Sequence, residues 1–315
     1  MKLHRINSSN DNLHASFSRD YKPILAIDSG DRVQFQTPDV GWGYSPSKQA
    51  NRERYQSREK ESTWGHPLVG PIEIKGAEPG MVLEIHINEI IAGWYGWNCA
   101  GGSDDWHNGQ LGIADQEEIT LNWELDREEM TGRCQLNGKA LIVPLKPFMG
   151  VMGMPPAEPG VHSTMPPRFC GGNMDCKELV KGSILYLPIA VKGGLFSVGD
   201  GHALQGDGEV SGQAIECPMD LVELQFVLRS DMNLKMPRAN TPIGWITFGF
   251  DEDLNKATIQ ALDGMLDLLK QLYGLERADA TALASLVVDL RITQIVNGVK
   301  GVHAVLPRDI VKGEL

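Results

Sequence analysis

Apolar and polar residues alternate at period two in several short segments along the first three quarters of the chain. The alternation is clearest at 33–37, 81–87, 184–189 and 221–228. Side chains two positions apart share one face of a strand, so each segment is predicted to be a half-buried strand. The 35 glycines and 18 prolines mostly separate such segments, which is typical of turns between strands. This part of the chain is therefore expected to be rich in β-structure.

The pattern changes after about Pro242. Apolar residues at spacings of three and four predict an amphipathic helix over 251–273 that ends at Gly274. A second helix over 278–288, a strand over 290–296 and a turn at Asn297-Gly298 follow.

We predict an α+β, mainly β fold, in which a β-rich body carries a C-terminal α/β portion. The predicted parts are an N-terminal β-rich domain (1–140), a central β region with the active site (141–240) and the α/β portion packed on the body (241–315).

Charge and cysteine usage narrow the classes of function. The 315 residues include 29 Lys and Arg against 41 Asp and Glu, a net charge of −12. This charge argues against a nucleic-acid partner, because binding to phosphates depends on clustered basic residues. No apolar run approaches the roughly 20 residues of a membrane span, and the first residues have no apolar signal core. Five cysteines without a CxxC pair favour a reducing compartment. We therefore expect a cytoplasmic protein without a membrane partner.

The densest group of candidate metal ligands lies at 199–209. Asp200 and His202 are two positions apart, as are Asp207 and Glu209, and in an extended chain each pair would project to one face. A mixed imidazole and carboxylate set suits Zn²⁺ or a similar divalent metal, whereas Ca²⁺ prefers oxygen ligands throughout and could occupy a second site. A solvated acidic hairpin with a chance histidine explains the same spacing equally well.

Residues elsewhere could complete such a site. The segment 171–175 offers Asn173 and Asp175, although an Asx turn is the simpler interpretation. Glu216 could orient a ligand. His66 and Asp39 stand beside prolines in rigid loops, where lone residues are more often structural.

Other kinds of chemistry have less support. The chain has no Gly-x-Ser-x-Gly elbow, phosphate-binding glycine loop or HExxH helix. Cys170 and Cys176 flank the acidic segment and could act as nucleophiles, but free cysteines are usually buried and inert. The aromatic segment from Trp94 to His107 could line a pocket or an interface, with a packed core as the alternative.

Taken together, these residues resemble the acetamidase/formamidase family. The matching segments occur in the same order as in the family and are spread over nearly the whole chain. They are 66–71, 76–80, 147–150, 171–175, 185–188, 199–203 and 206–209. The resemblance implies a two-part fold, in which a jelly-roll-like or barrel β body carries an α/β addition. It implies hydrolysis of small aliphatic amides, such as formamide or acetamide, to ammonia and a carboxylate. It also implies self-association as a homodimer or a dimer of dimers.

The resulting hypothesis is a metal-activated water that attacks the amide. Its assignments are Asp175, Asp200 and His202 as ligands of a divalent metal, with zinc expected; Glu209 for proton transfer, with Asp207 beside it; Asn173 and Gln205 for substrate binding; and Glu216, His66 and Asp39 in supporting or reserve positions. The alternatives are a metal-free cysteine-dependent amidase and a non-catalytic β protein that binds a small ligand.

Overall fold

Two large sheets build most of the molecule. The computed structural model describes residues 1–59, 65–103 and 106–312. In chain order the strands are β1 (Leu3–Ile6), β2 (Leu13–His14), β3 (Ser16–Phe17), β4 (Leu25–Ile27), β5 (Arg32–Thr37), β6 (Gly43–Tyr44), β7 (Glu53–Arg54), β8 (Leu68–Ile74), β9 (Val82–Ala92), β10 (Tyr95–Ala100), β11 (Ile119–Asp126), β12 (Thr131–Leu136), β13 (Lys139–Pro144), β14 (Phe148–Gly153), β15 (His162–Ser163), β16 (Gly171–Asn173), β17 (Ile184–Pro188), β18 (Phe196–His202), β19 (Met219–Arg229), β20 (Arg238–Thr241), β21 (Gly244–Asp251), β22 (Asp289–Asn297) and β23 (Val299–Pro307). The helices are α1 (Trp106–Leu111), α2 (Leu254–Tyr273) and α3 (Arg277–Val287).

The larger sheet has nine strands in the order β1-β5-β19-β9-β17-β20-β21-β23-β22. The four segments with period-two alternation are β5, β9, β17 and β19, and they are contiguous in this sheet. β5 and most of β19 alternate buried with partly exposed residues, as the alternation requires. β17 and the first half of β9 are instead buried on both faces, so the expected half-burial is wrong for them. The predicted strands are confirmed.

The second sheet has six strands, in the order β16-β14-β18-β8-β2 with β4 paired to β8. It faces the larger sheet across the main core, where Phe196 of β18 meets Phe226 of β19 edge to face at a centroid distance of 5.0 Å. The mainly β prediction is confirmed. In the described residues both sheets run from one edge strand to another, so they stack as a sandwich and do not close into a barrel.

The C-terminal helices pack on β21 and β23. Asp253 caps α2 by accepting a hydrogen bond from the backbone N–H of Asn255 (2.7 Å), and Gly274 ends the helix at φ 70°. Gly249 in β21 lets α2 approach closely, because a Cβ there would lie 1.9 Å from the carbonyl oxygen of Ala257. The predicted helices, the strand over 290–296 and the Asn297-Gly298 turn are confirmed.

The aromatic segment from Trp94 to His107 supplies β10, which is an edge strand of a separate four-stranded sheet, and the start of α1. Positions 104 and 105 of that segment lie outside the described residues. The three-part division of the chain at 140 and 240 stays a prediction. Among the described residues, the helices are all too short or too polar to cross a lipid bilayer.

Candidate active site

The candidate site forms where three neighbouring strands of the six-stranded sheet end. β14 lies between β16 and β18, so the end of β18 brings Asp200 and His202 to one side of it and the end of β16 brings Asp175 to the other. Gly150 of β14 lies directly beneath them. A Cβ at this position would lie 2.3 Å from Asp200 Oδ2 and 2.7 Å from Asp175 Oδ1. The missing side chain therefore creates the space in which these groups meet.

Gln205 fixes the orientation of the His202 ring. Its Nε2 donates to the carbonyl oxygen of Asp175 (2.8 Å), which can only accept. Its Oε1 must therefore face Nδ1 of His202, at 3.0 Å, so that Nδ1 carries a proton and donates. This leaves Nε2 of the imidazole directed at the carboxylates.

Two carboxylates face that nitrogen. Asp200 Oδ1 and Glu216 Oε2 each lie 3.3 Å from His202 Nε2. Glu216 reaches this position because its backbone bridges to His202, and its Oε1 accepts from the N–H of Ala214 at 3.0 Å. On the other side of the ring, Asp175 Oδ1 is 4.0 Å from Nδ1.

Glu209 completes the cluster. Together with His202 and Glu216 it offers ligand atoms within 4.8 Å of one another, as do Asp175, Asp200 and His202. All five side chains are buried.

The electrostatics reflect this burial. Burial raises the pKa of Asp175 to about 8 and that of Glu216 to about 7, with help from the negative charge of Asp200. Burial also raises the pKa of Glu209 well above its ordinary value, and the charge of Asp175 adds to the effect. Burial lowers the pKa of His202, but the charges of Asp200 and Glu216 outweigh it and hold that pKa well above its usual range. The site thus packs four buried carboxyl groups around one imidazole.

Three of these acids adopt left-handed backbone conformations. Asp175, Asp200 and Glu209 have φ angles of 49°, 62° and 47°. Such angles cost non-glycine residues free energy, and they cluster at functional sites where the surroundings hold them in place. The local strain supports a functional reason for the arrangement.

Asn297, which the sequence analysis assigned only to a turn, holds Asp175 from the C-terminal hairpin. Its Nδ2 donates to Asp175 Oδ2 at 2.7 Å across 122 positions of the chain. The sequence analysis did not name Gly150 as a site residue either. Its one sequence signal was its place in the segment 147–150, which resembles the family. Asn297 had no sequence signal beyond its place in an Asn-Gly turn.

A cavity of about 460 Å³ opens onto the cluster. Its walls include Trp42, His66, Met165, Asn173, Glu209 and Asn297. The Nδ2 of Asn173 donates to the carbonyl oxygen of Met165 (3.1 Å), so its Oδ1 must point the other way, where it is buried and has no partner among the described residues. This oxygen can accept a hydrogen bond from a ligand.

The remaining sequence candidates lie in different surroundings. His66 lines the cavity, with Nε2 4.0 Å from Asp200 Oδ2 and Nδ1 2.9 Å from the hydroxyl of Thr164. Gln205 lies at the cluster but is not among the cavity-lining residues.

Two acids are held apart from the cluster by cationic partners. Asp207 pairs with Lys177 at 3.0 Å and is partly exposed. Asp39 is buried, and Arg52 contacts it at 2.5 Å and 3.0 Å. The structure therefore does not bring either carboxylate to His202.

The donor set fits a divalent cation. Asp175 Oδ1 and Glu216 Oε2 are buried and have no hydrogen-bond partner among the described residues. Buried carboxylate oxygens are normally paired or bound to a metal. One imidazole nitrogen surrounded by carboxylates is a ligand set that Zn²⁺ accepts. The hydrogen bond from Nδ1 to Gln205 is the support that a metal-binding histidine commonly has.

Comparisons with known proteins point to one family. The sequence model of the Acetamidase/Formamidase family matches residues 102–312. A formamidase from Methylophilus methylotrophus is 26% identical over 246 residues, which span 63% of this chain and 60% of that protein. The match thus covers about 60% of the length of this curated relative.

Solved structures match over almost the whole chain. A predicted acetamidase/formamidase from Thermoanaerobacter tengcongensis is 30% identical, with a TM-score of 0.81 over 98% of this chain and 96% of the other. An acetamidase from Bacillus halodurans is 27% identical, with a TM-score of 0.81 over 96% of this chain and 97% of the other.

Proposed function

The chain belongs to the acetamidase/formamidase family, and we propose from this membership that it is an amidohydrolase that cleaves small aliphatic amides to ammonia and a carboxylate. The observation that carries the proposal is the buried cluster around His202, of which Asp200, His202, Glu209 and Glu216 line a cavity of about 460 Å³. An amide resists water because resonance weakens its carbonyl as an electrophile and its nitrogen as a leaving group. The site must therefore act on both ends of the bond.

Asp175, Asp200 and His202 would hold the metal, with Glu216 as the further carboxylate next to Nε2. A bound divalent cation such as Zn²⁺ supplies a polarising charge for the carbonyl and lowers the pKa of water to roughly 7. Gln205 keeps the imidazole in the tautomer that turns Nε2 toward the carboxylates. In this proposal Gln205 is a positioning residue, because both ends of its carboxamide are already engaged.

Asn173 orients the substrate. Its unpartnered Oδ1 accepts an N–H of the amide group, and a hydrogen bond of this kind rejects analogues that lack the donor. Unsubstituted amides present two N–H donors, so they are the expected substrates.

Glu209 moves the proton. Its carboxylate lines the cavity and lies beside His202 and Glu216. A carboxylate in this place can take the proton of the attacking water and return it to the departing nitrogen. Glu209 is only 6% exposed, which limits the access of bulk water to this transfer.

The cysteine-dependent alternative has less support. Cys170 and Cys176 are fully buried, and burial raises the pKa of each thiol to about 12. The Sγ of Cys170 donates to the carbonyl oxygen of Met154 at 3.1 Å. A nucleophilic cysteine needs an accessible thiolate, and neither residue is among those that line the cavity.

The decisive test measures ammonia release from formamide and acetamide together with metal content. His202→Ala should lose both metal and activity. Glu209→Gln should keep the metal and lose about 10²- to 10⁴-fold in kcat. Glu78→Gln serves as the matched control, since Glu78 is exposed and its one ion-pair contact within the described part of the chain is Lys192 at 4.0 Å.

Full activity of His202→Ala would refute the role of His202 as a metal ligand. Loss of metal in Glu209→Gln would make Glu209 a metal ligand. Amidase activity that survives chelators but is lost on thiol alkylation would favour the cysteine-dependent amidase, whereas amide binding without turnover would favour the non-catalytic β protein.

Several finer assignments stay predictions. They are zinc as the metal, calcium at a second site, assembly as a homodimer or a dimer of dimers, and a cytoplasmic location.

A further inference from the structure

A second cavity of about 560 Å³ lies next to the cavity at the cluster. The two share four lining residues: Met165, Gly212, Gln213 and Asn297. Shared walls mean that the second space, here called the outer chamber, adjoins the place where an amide would be cleaved. Formamide and acetamide have only three and four heavy atoms, so neither extends that far.

The boundary between the two spaces is built by specific contacts. Gly212 has a φ of 82°, and its N–H donates to the carbonyl oxygen of Glu209 at 2.8 Å, which turns the chain sharply after the proposed proton carrier. Gln213 is then anchored to β10, because its Oε1 accepts from the backbone N–H of Cys99 at 2.8 Å. The loop from Glu209 to Gln213 thus forms one wall for both spaces.

The outer chamber has an apolar side. It is lined by Trp106, whose side chain is 71% exposed, together with Ile295 and Val296 of β22. A large exposed indole beside aliphatic strand residues gains free energy when an apolar group covers it. Polar residues such as Glu118 and Lys300 also line the chamber.

We propose that the outer chamber is an acyl-chain subsite, and that the preferred substrates are unsubstituted amides whose acyl chain is longer than that of acetamide. The reacting carboxamide lies at the His202 cluster, and the chain passes Met165 and Gln213 to reach Trp106. This inference rests on the proposed amidase function and specifies its substrate class.

The test is the kcat/KM for ammonia release along the series formamide, acetamide, butyramide and hexanamide. Each methylene buried against the chamber should raise kcat/KM about fourfold. We expect hexanamide to exceed acetamide by at least about tenfold overall. Values that stay flat or fall beyond acetamide would overturn the subsite and leave the amidase function intact. Absence of ammonia from every amide would refute the amidase function itself.

Two variants locate the effect. Trp106→Ala removes the exposed apolar wall, and Ser211→Trp fills the chamber from the loop side. Both should lower the ratio of hexanamide to acetamide kcat/KM by about tenfold. Ile259→Ala is the control, because Ile259 is 63% exposed on α2 and lies outside both cavities. An unchanged ratio in both chamber variants would overturn the proposal, and so would an equal fall in the control.

Discussion

Replacing Gly150 by alanine tests directly whether the acids and the imidazole converge over β14. The added Cβ would lie 2.3 Å from Asp200 Oδ2, 2.7 Å from Asp175 Oδ1 and 2.9 Å from Cε1 of His202, whereas ordinary contact begins at 3.4 Å. At least one of these groups must therefore move by about 1 Å. The backbone of Gly150 lies outside the left-handed region, so alanine adopts it without strain and the effect is purely steric.

The groups above Gly150 have little room to yield. Both acids are buried, and Asn297 holds the second oxygen of Asp175 at 2.7 Å. A displacement of 1 Å in a catalytic group can cost about 100-fold in rate, and overpacking a buried site costs about 1–3 kcal/mol of stability. We expect Gly150→Ala to lose at least about 100-fold in kcat/KM on acetamide and to bind metal more weakly.

The assay combines ammonia release with metal content of the purified variant. Gly206→Ala is the matched control, because Gly206 lies next to Gln205 in sequence, has no heavy atom within 4 Å of its added Cβ and also lies outside the left-handed region. The control should behave like wild type. Wild-type metal binding and turnover in Gly150→Ala would refute the convergence of these groups.

Three further predictions follow from contacts outside the reacting groups. Gln205→Leu removes the group that accepts the N–H of the His202 imidazole, and it should weaken metal affinity about 10- to 100-fold. Competition with a chelator measures this affinity. An unchanged affinity would contradict the positioning role of Gln205. His14 is buried, and burial lowers its pKa from 6.5 to about 3. Between these two pH values the unfolded chain binds a proton at His14 that the folded chain does not. The free energy of unfolding should therefore fall by about 2 kcal/mol between pH 7 and pH 5 because of this group. Urea titrations of wild type and His14→Asn test this, since the variant should lose that part of the pH dependence and an unchanged slope would contradict it. Gly249→Ala places a Cβ 1.9 Å from the carbonyl oxygen of Ala257. The clash pushes α2 away from the sheet and should lower the free energy of unfolding by about 3 kcal/mol. A melting curve like that of the wild type would contradict this close packing.

The sequence by itself determined the local structure of this chain. Period-two alternation marks β5, β9, β17 and β19, and the three-to-four spacing marks α2 up to its terminal glycine. These patterns are reliable because the period of a helix or strand decides which side chains face the core. Sequence also grouped Asp200 with His202, and the two do meet at 3.3 Å. The φ of 62° at Asp200 means that strand alternation is not the reason for this contact.

Only the tertiary structure decided which of the other acids join them. The same i, i+2 argument grouped Asp207 with Glu209, but Glu209 has a φ of 47°, so the chain is not extended there. Glu209 turns into the cluster, while Asp207 pairs with Lys177 outside it. Strand alternation applies only while the backbone stays extended.

The contribution of Asn297 and the space above Gly150 depend on the tertiary structure in the same way. Asn297 reaches Asp175 from a hairpin of the other sheet, and Gly150 matters only because two neighbouring strands end beside it. Spacing along a chain carries no information about contacts between distant segments. Those contacts are set by how the two sheets pack. Pattern and family resemblance therefore predicted the elements and the candidate residues, and only the packing decided which of those candidates meet at one site.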